Sequence, residues 1–555
     1  MARSIEHIKQ ASHHLRGQVY DDLYHRPESG VSEESRQLMK FFGMYQQEDR
    51  DFKKLWKSEG KEPEHRFMVR VALAGGDMTA DQYLALDALA DAVGLGHFRL
   101  TSRQAVQIHG VHKGDLPALV QRLHQTGATS LAGCGDVERN VMCCPAPDAG
   151  GVRDEVRALA HQLASDLKPQ TRAYLELFVE GRKVLEAVEE EPLYGEAYLP
   201  RKFKTGMAIA GDNCVDVYSH DIGLVAHPSP GGHLEAVTVL VGGGLGHSHG
   251  VQRTHPVLAQ PLGTIAAEEV GRVATAIVTV QRDYGNREDR RFARMKYLVE
   301  AWGIDAFREE VERRAGLKLD APRELTWQDQ ADHLGYHPLS DAKGYLGIYI
   351  PGGRIVGRLK ETLRELVAEY RPHLRATPQQ NLLWLDLTER EAQTIQARLE
   401  AAGCPPAETL SPTRRISMAC VALPTCGLAL AEAERVFFPL HQRIEEEWTT
   451  LGLREVPLVV RMTGCPNNCV RSELAEIGFV GSAPGRYHIY LGGNRSGTRL
   501  SRKFRERVPY EELFSTIQPL LHWYARERAE GQGFGDWVEA MGVDTLAARL
   551  EEVRS

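Results

Sequence analysis

Hydrophobic and polar positions between residues 66 and 109 change their period twice. Residues 66–77 alternate and then reach a glycine pair, which predicts a strand followed by a turn. Residues 80–93 repeat apolar positions with helical spacing, and residues 98–109 alternate again. Strand, helix and strand in this order predict a small α+β unit that ends near residue 147.

The same order of patterns returns later in the chain. Residues 347–353 again predict a strand and a turn, residues 361–370 predict a helix, and residues 374–384 take the place that residues 100–108 hold in the first unit. A second pair of similar stretches comprises residues 221–225 with 237–243 and residues 476–480 with 487–493. The pattern therefore predicts one unit used twice, with a shift of roughly 250–275 residues.

The remaining patterns are mostly helical. They predict a polar helical arm over residues 1–65, helices over 150–190, a strand at 207–210, a buried strand with a glycine loop over 236–246, and a long helical stretch over 265–302. The glycine loop lacks the spacing of phosphate-binding motifs, so we expect no nucleotide site there.

Composition narrows the class of protein. The chain has 555 residues, which predicts several domains, and its net charge of −8 argues against general binding of nucleic acid. No apolar segment predicts a signal peptide or approaches the roughly 20 residues of a membrane span. The nine cysteines, an odd number, predict reduced thiols in a cytoplasmic protein rather than a disulfide framework.

Four cysteines near the C-terminus carry the strongest chemical signal. Cys420 and Cys426 form a C-x5-C pair, and Cys465 and Cys469 form a C-x3-C pair beside a glycine and a proline. Four thiolates are the ligand set of a cubane iron–sulfur cluster. A structural zinc site and four unrelated buried cysteines are the alternatives that spacing alone leaves open.

The two cysteine motifs, together with residues 431–435, resemble those of assimilatory sulfite and nitrite reductases, and the resemblance extends from about residue 8 to about residue 543. It implies an α+β fold: an internally duplicated, pseudo-twofold core of ferredoxin-like halves and larger mixed α/β domains, with an N-terminal helical arm. The predicted domains are an arm at 1–65, ferredoxin-like halves at 66–147 and 336–406, and α/β domains at 148–335 and 407–555.

The resemblance also implies the cofactors. Cys420, Cys426, Cys465 and Cys469 would hold a [4Fe–4S] cluster, and Cys469 would also bridge to the iron of a sirohaem. The family usually has glycine where Asn468 stands and proline where Gly427 stands. Asparagine tolerates left-handed backbone geometry best among the other residues, so the change at Asn468 is mild.

The implied activity is the six-electron reduction of sulfite to sulfide. The alternative within the family is ferredoxin-dependent reduction of nitrite to ammonia, and a non-catalytic, zinc-stabilised binding protein is a third hypothesis. No flavin or NADPH module is visible, so electrons must come from another protein. Residues 524–536 resemble the branch with a flavoprotein partner, which favours an NADPH-dependent flavoprotein over ferredoxin.

A basic group in the first copy is the candidate substrate site. Lys202 and Lys204 alternate around Phe203, so both point to one side of a strand, an unfavourable arrangement without an anion. By resemblance these lysines, with Arg103 and Arg139, form the anion pocket above the haem. Glu138 stands where the family usually has a neutral residue, and it would either pair with Arg139 or point outward.

Further residues are expected to contact the sirohaem. Arg294 matches a family position that binds the carboxylates of the macrocycle, and it lies in a basic segment from Arg287 to Lys296 that is expected to be helical. The weaker polar candidates are Gln104, Gln380, Asn381, Asn494 and Arg495.

Other cysteines and histidines are given no metal role. In the first copy only Cys214 stands at about the place of a cluster ligand, so that copy is expected to hold no cluster. His247 and His249 are expected to lie in a loop packed near the haem edge rather than to act as ligands. Some relatives carry a Tyr–Cys thioether near the active site, but no tyrosine is assigned to one here.

Overall fold

The computed structural model describes residues 4–148, 151–174, 191–340 and 342–554. We number the helices and strands within these residues in chain order. The helices are α1 Ile5–Gln10, α2 Val19–Tyr24, α3 Glu33–Leu38, α4 Lys53–Ser58, α5 Ala80–Val93, α6 Leu116–Gln125, α7 Val152–Asp166, α8 Val270–Tyr284, α9 Met295–Trp302, α10 Ile304–Ala315, α11 Gly357–Tyr370, α12 Glu389–Ala401, α13 Pro412–Ile416, α14 Glu434–Thr450, α15 Leu513–Glu527, α16 Phe534–Met541 and α17 Val543–Arg554.

The strands form four sheets. They are β1 Met44–Glu48, β2 His65–Val71, β3 Asp77–Met78, β4 Phe98–Leu100, β5 Val106–Val111, β6 Met142–Cys143, β7 Thr205–Ile209, β8 Gly211–Asp212, β9 Ile222–Pro228, β10 Leu234–Val241, β11 Gln260–Ala266, β12 Trp327–Asp329, β13 Gly335–Pro338, β14 Gly344–Ile348, β15 Arg354–Ile355, β16 Leu374–Ala376, β17 Leu382–Leu387, β18 Met418–Ala419, β19 Val460–Thr463, β20 Ile477–Ala483, β21 Arg486–Leu491 and β22 Arg502–Pro509.

Two five-stranded sheets form the ferredoxin-like halves and exchange their edge strands. Their strand orders are β1-β2-β5-β4-β15 and β13-β14-β17-β16-β3, so β3 and β15 each join the sheet of the other half. Before each exchanged strand lies a short turn, Ala74–Gly76 or Pro351–Gly353, whose two glycines have positive φ. Only glycine adopts such a double left-handed turn readily, which explains the glycine pair seen in both copies.

The two α/β sheets repeat one arrangement. In the first, β6 and β7 are parallel, β7 and β9 are parallel, and β9, β10 and β11 are antiparallel. In the second, β18, β19, β20, β21 and β22 follow the same directions. Thr205 pairs with Ile222 in one sheet as Val460 pairs with Ile477 in the other. This confirms the predicted duplicated α+β fold.

The hydrophobic cores leave a polar boundary between the second α/β domain and the rest of the described chain. One core runs through the arm, both ferredoxin-like halves and the first α/β domain, and a separate core fills the second α/β domain. The boundary is crossed by buried polar contacts, such as the Arg471–Asp216 ion pair. A polar interface of this kind can accommodate a charged group.

Several predicted segments differ from the observed elements. The helical stretch predicted over residues 265–302 is divided: residues 265 and 266 end β11, α8 ends at Tyr284, and Gly285 after it is extended. A Cβ at Gly285 would lie 2.5 Å from the carbonyl oxygen of Gln281. The basic segment from Arg287 to Lys296 is a loop with one short 3-10 turn before α9, not a helix. The arm also contains a strand, β1. Within 150–190, the structure shows α7, and residues 175–190 lie outside the described residues.

The predicted domain boundaries stay predictions, and the exchanged strands β3 and β15 cross between the halves. Within the described part of the chain, no helix combines the length and apolar character needed to span a lipid bilayer.

Candidate active site between the two repeats

The strands β18 and β19 bring the first thiol of each cysteine pair together. The backbone N–H of Cys420 donates to Met462 at 3.1 Å, and the N–H of Gly464 donates to the Cys420 sulfur at 3.3 Å. A Cβ at Gly464 would lie 2.5 Å from the side chain of Ala422. The glycine therefore allows the two cysteine loops to approach each other.

The remaining thiols lie around this point. The side-chain amide of Asn467 donates to the Cys465 sulfur at 3.5 Å. Cys426 is half-buried, and Cys469 is exposed although its neighbours Asn468 and Val470 are buried. The Cys469 side chain therefore borders the open space between the repeats. The hydroxyl of Ser102, in the first ferredoxin-like half, donates to the backbone carbonyl of Cys469 at 2.7 Å.

The electrostatics of this quartet require a cationic group. Burial and the nearby thiol of Cys469 raise the pKa of Cys420 to about 12, and the same two causes raise the pKa of Cys426. Four thiolates become stable together only with positive charge among them. The geometry does not suit a single zinc ion, because no three of these described sulfurs lie within 4.8 Å of one another. A larger cluster fits better.

Both departures from the family motif have a local explanation. Asn468 adopts φ +57°, the left-handed geometry that its amide side chain tolerates, and its Oδ1 accepts the backbone N–H of Glu473 at 3.3 Å. A Cβ at Gly427 would meet nothing within 4 Å, so this position is spatially unrestricted.

A cleft of about 260 Å³ separates the cysteine loops from the first α/β domain. Its described lining contains basic and neutral residues and no aspartate or glutamate. These residues are Arg201, Lys202, Gly246, His247, Ser248, His249, Arg290, Arg291, Arg294, Leu428, Leu430, Cys465, Pro466 and Asn467. A basic cleft that ends at a cysteine loop fits a macrocycle with several carboxylates and a thiolate-linked iron.

The two predicted lysines lie on the same side of an extended segment. Phe203 between them is buried and bridges to Glu138, whereas Lys202 and Lys204 remain half-buried. Burial lowers the pKa of both lysines well below the usual value, and neighbouring arginines lower it further. Arg103 and Arg139 are among the cations acting on Lys204. The structure therefore brings the four predicted residues into one charge cluster.

The two arginines of this cluster are positioned by backbone carbonyls. Arg103 donates to the carbonyl of Asn140 at 2.5 Å and contacts Nδ1 of His220 at 3.1 Å, while its buried Nε has no partner. Burial lowers the pKa of Arg103 to about 9. Arg139 donates from Nε and Nη2 to the carbonyl of Gly135.

The cluster differs in its pairing from the four arginines of the basic segment. Within the described residues, neither the two arginines nor the two lysines forms an ion pair with a carboxylate within 4.0 Å. The four arginines of the basic segment each have a carboxylate partner, in Arg287–Glu6, Arg290–Asp136, Arg291–Asp289 and Arg294–Asp221, and Lys296 donates to the backbone carbonyls of Gly244 and Gly246. Confined cations without counter-charge are unfavourable unless an anion binds among them. The unpaired cluster is therefore the candidate site for an anionic substrate.

Neither predicted orientation of Glu138 is correct. Its carboxylate points inward, where it accepts hydrogen bonds from the backbone N–H and the hydroxyl of Thr205, both at 3.0 Å. Burial raises the pKa of Glu138 to about 7, against the opposing effect of Arg103. Thr205, the first residue of β7, therefore holds this carboxyl away from Arg139.

The predicted cofactor contacts lie in different surroundings. Arg294 lines the cleft and is oriented by two hydrogen bonds to Asp221, at 3.1 and 2.8 Å. Gln104 donates to the carbonyls of Gly75 and Ala376, and so joins the halves.

Gln380, Asn381, Asn494 and Arg495 do not line the cleft. The Gln380 amide is oriented so that it donates to Ala419 and accepts from Arg99. Asn381 accepts the N–H of Ile350 at 2.9 Å. Asn494 closes a turn with Thr498, and Arg495 lies 4.0 Å from Glu476. Their cofactor roles stay predictions.

The histidine loop packs against the second cysteine pair, and its expected place at the haem edge stays a prediction. The backbone N–H of His247 donates to Pro466 at 3.0 Å, and its ring contacts Glu473 at 3.0 Å. His247 thus connects the glycine loop to the loop between Cys465 and Cys469.

Sequence analysis missed three features of the site. Arg201 lines the cleft beside Lys202, and the basic run that it shares with the lysines was a usable signal. His220 contacts Arg103 from a segment with no distinctive pattern. Tyr45 lies close to Cys134 and Arg139, and this tyrosine and cysteine come from separate segments that spacing did not identify.

Comparisons with known proteins agree with this geometry. The chain matches the nitrite and sulphite reductase 4Fe-4S domain over residues 160–319 and 415–555. It matches the nitrite/sulfite reductase ferredoxin-like half domain over residues 58–126 and 337–402. The matched ranges alternate in the order expected for a duplicated chain.

Curated relatives match over nearly the whole length. The sulfite reductase [NADPH] hemoprotein beta-component of Paenibacillus sp. is 41% identical over 545 residues, which cover 97% of this chain and 95% of the relative. Its counterpart from Staphylococcus saprophyticus is 40% identical over 556 residues, with 99% and 96% covered. Among solved structures, Mycobacterium tuberculosis NirA superposes with a TM-score of 0.81 at 26% identity, covering 97% of this chain and 96% of NirA.

Proposed function

Because the chain belongs to the nitrite and sulphite reductase family, we propose that it is a sulfite reductase haemoprotein component. It reduces sulfite to sulfide with six electrons, and the three sulfite oxygens leave as water. Relatives at about 40% identity over nearly the full length carry the name of this enzyme. The unpaired cation cluster beside Cys469 is the observation that carries the proposal.

The cofactors are a sirohaem and a [4Fe–4S] cluster. Cys420, Cys426, Cys465 and Cys469 would hold the cluster, with Cys469 also facing the sirohaem, and the basic cleft would hold the sirohaem carboxylates. When bound, the coupled cofactors supply the electrons and an iron to which the substrate sulfur binds. The fit rests on the exposed thiol of Cys469, the charge of the cleft and the spacing of the four sulfurs.

The cation cluster binds and orients the substrate. Sulfite is a small dianion, and Arg103, Arg139, Lys202 and Lys204 together offer donors that no carboxylate occupies. Arg103 is held rigidly by Asn140 and His220, so its unused Nε–H is positioned in advance. Preorganised donors stabilise negative charge as it builds on substrate oxygens.

The lysines also link anion binding to proton uptake. Burial and neighbouring cations disfavour the ammonium form of Lys204 in the free pocket. A bound dianion favours that form, so substrate binding raises the pKa of Lys204 again and draws a proton into the pocket. The protonated amine then donates one of the two protons that a substrate oxygen takes up before it leaves as water; the second comes from solvent, and the bound cofactors would supply the two electrons for each S–O bond broken.

We propose an NADPH-linked flavoprotein as the electron donor. The name of these relatives includes NADPH and a beta-component, which indicates at least one further component in those enzymes. The N-terminal arm reaches the cluster loop, where Arg50 donates to Ala429 at 2.5 Å. The predicted cytoplasmic location stays a prediction.

The test combines spectroscopy with donor and substrate comparison. Purified enzyme should show a sirohaem Soret band and reduce sulfite to sulfide. Assays with sulfite and with nitrite, each driven by an NADPH flavoprotein or by ferredoxin, should give the highest kcat/KM for sulfite with the flavoprotein. A higher kcat/KM for nitrite with ferredoxin would overturn both assignments, and a colourless protein that binds only zinc would overturn the enzyme.

A further inference from the structure

The first α/β domain holds a second group of metal-ligand atoms, which the proposed function does not use. Cys144, Asp212, Cys214 and His333 each place one ligand atom within 4.8 Å of the others. Both thiols and the imidazole are buried, and the Asp212 side chain is only 13% exposed. So many ligand-type groups in one buried place suit a metal ion.

The measured separations match the edges of a tetrahedron. The Cys144 sulfur lies 3.4 Å from Nε2 of His333 and 3.7 Å from Oδ2 of Asp212. Nε2 of His333 lies 3.5 Å from the same oxygen. Zinc bonds of about 2.3 Å to sulfur and about 2.0–2.1 Å to nitrogen or oxygen place tetrahedral ligands roughly 3.3–3.8 Å apart.

Surrounding groups orient the donors. The other Asp212 oxygen, Oδ1, accepts the backbone N–H of Cys214 at 3.1 Å and that of Ala331 at 3.4 Å, which leaves Oδ2 facing the thiols. Arg153 contacts the Cys144 sulfur and lies 3.4 Å from Oδ2 of Asp212. Two thiolates, one carboxylate and a dication carry one net negative charge, which the guanidinium neutralises.

The position of the group follows from the internal duplication. Cys144 comes directly after β6, as Cys420 comes directly after β18, and both strands run parallel beside the next strand of their sheet. Cys214 lies two residues before Asp216, and Cys469 lies two residues before Arg471. Asp216 and Arg471 both have left-handed backbone geometry. Two of the four cluster positions therefore also hold cysteine in the first repeat.

We propose that Cys144, Asp212, Cys214 and His333 bind one zinc ion. The ligand set of two sulfurs, one nitrogen and one oxygen suits this borderline-soft ion. All four ligands come from the chain, so the site is closed and structural. It joins the segment after β6, the end of β8 and the loop between β12 and β13. Gln379, which donates to the carbonyl of Cys214 at 2.8 Å, extends the connection to the second ferredoxin-like half.

The first experiment uses the unmodified holoenzyme. Elemental analysis should find about one zinc per chain beside the iron. Zinc K-edge absorption should fit two sulfur ligands at about 2.3 Å and two nitrogen or oxygen ligands at about 2.0 Å. Enzyme that contains no zinc, even after incubation with Zn²⁺ in the presence of a thiol reductant, overturns the proposal. A four-sulfur or sulfur-free coordination shell also overturns it.

The second experiment assigns the ligands. Cys144→Ser and His333→Ala should each lower zinc content at least roughly tenfold and retain the visible spectrum of the iron cofactors. The control is Cys143→Ser, which changes the adjacent buried thiol outside the group and should retain the zinc. Equal zinc in Cys144→Ser and the control overturns the assignment. A Cys144–Cys214 disulfide found by peptide mass spectrometry of wild-type holoenzyme also overturns it, independently of how the variants fold.

Discussion

The two α/β domains share one backbone arrangement and differ in the side chains at its edge: the first has the unpaired lysines, and the second has the cysteine quartet. The N–H of Ile222 donates to Lys204 at 3.1 Å, and the N–H of Ile477 donates to Val459 at the same distance in the equivalent place. Lys204, one of the proposed anion-binding lysines, therefore corresponds to Val459 in the second repeat. The comparison shows that the shared sheet supplies positions, and that a few side chains at its edge decide the chemistry.

A second difference between the repeats, the opposite charges of Asp216 and Arg471, contributes to the contact between them. Asp216 and Arg471 occupy equivalent left-handed positions, each directly before a short 3-10 turn. They form a buried ion pair, and Arg461 joins them with a hydrogen bond of 2.9 Å to Asp216. A perfectly symmetric chain would place like charges at this point. Divergence between the copies thus made the interface possible.

The largest expected effect comes from replacing Cys469, the proposed ligand between the two cofactors. Cys469→Ser should lower sulfite reduction at least roughly a thousandfold, or about 4 kcal/mol in the barrier, because the thiolate connecting the two cofactors is lost. Visible absorption should change at the same time. Cys214→Ser, the equivalent change in the first repeat, should retain the iron-cofactor spectrum. Wild-type spectra and turnover in Cys469→Ser would show that this thiol is not the connecting ligand.

The interface ion pair should control stability. Asp216→Asn leaves Arg461 and Arg471 buried without a counter-charge, and it should lower the free energy of unfolding by about 3–5 kcal/mol. Although burial raises the pKa of Asp216, the two arginines outweigh that effect and hold it below the usual value. The stabilisation of the folded state by the Asp216 carboxylate is therefore fully present above the usual aspartate pKa, and it is lost as the pH falls below that value.

Urea unfolding of the holoenzyme at neutral pH measures this change. The matched control is Glu235→Gln, which breaks the exposed pair with Arg323 and should lower stability by at most about 1 kcal/mol. Equal effects of the two substitutions would mean that the pseudo-symmetric pair does not hold the repeats together.

The anion pocket predicts a smaller effect that is confined to one repeat. Lys204→Met removes a charge and a donor at nearly constant length, so kcat/KM for sulfite should fall at least roughly tenfold, with almost unchanged cofactor spectra. Partly reduced products should also appear, because proton delivery is impaired. Steady-state kinetics of Lys318→Met, which removes an exposed lysine paired with Glu312, provides the control. Unaltered kinetics in Lys204→Met would remove this residue from the mechanism.

The smallest expected effect concerns Glu138. Its pKa of about 7 means that the carboxyl gains negative charge as the pH rises through neutrality, close to the pocket that binds a dianion. Glu138→Gln should therefore bind sulfite about two- to fivefold more tightly than wild type at pH 8 and nearly equally at pH 6. The ratio of the two KM values cancels the ionisation of sulfite itself. A ratio independent of pH would contradict this assignment.

Local sequence patterns determined much of the fold. Thr79 caps α5, and the helix spans Ala80–Val93 as its period predicted, because the cap and the apolar spacing act within a few residues. The duplication was also visible, since two copies of one sheet need the same alternation and the same glycine turns. The cysteine spacing likewise predicted the cluster loops, because all four proposed ligands come from two short segments.

Only the tertiary structure decided which groups meet across the copies. The exchange of β3 and β15 between the halves depends on pairing over long sequence separations, which periodicity does not encode. The zinc-ligand group stayed hidden because Cys144, Asp212 and His333 come from three separate segments. Glu138 turned towards Thr205 because a buried carboxyl takes the nearest donors, and those donors are defined only when β7 packs beside it.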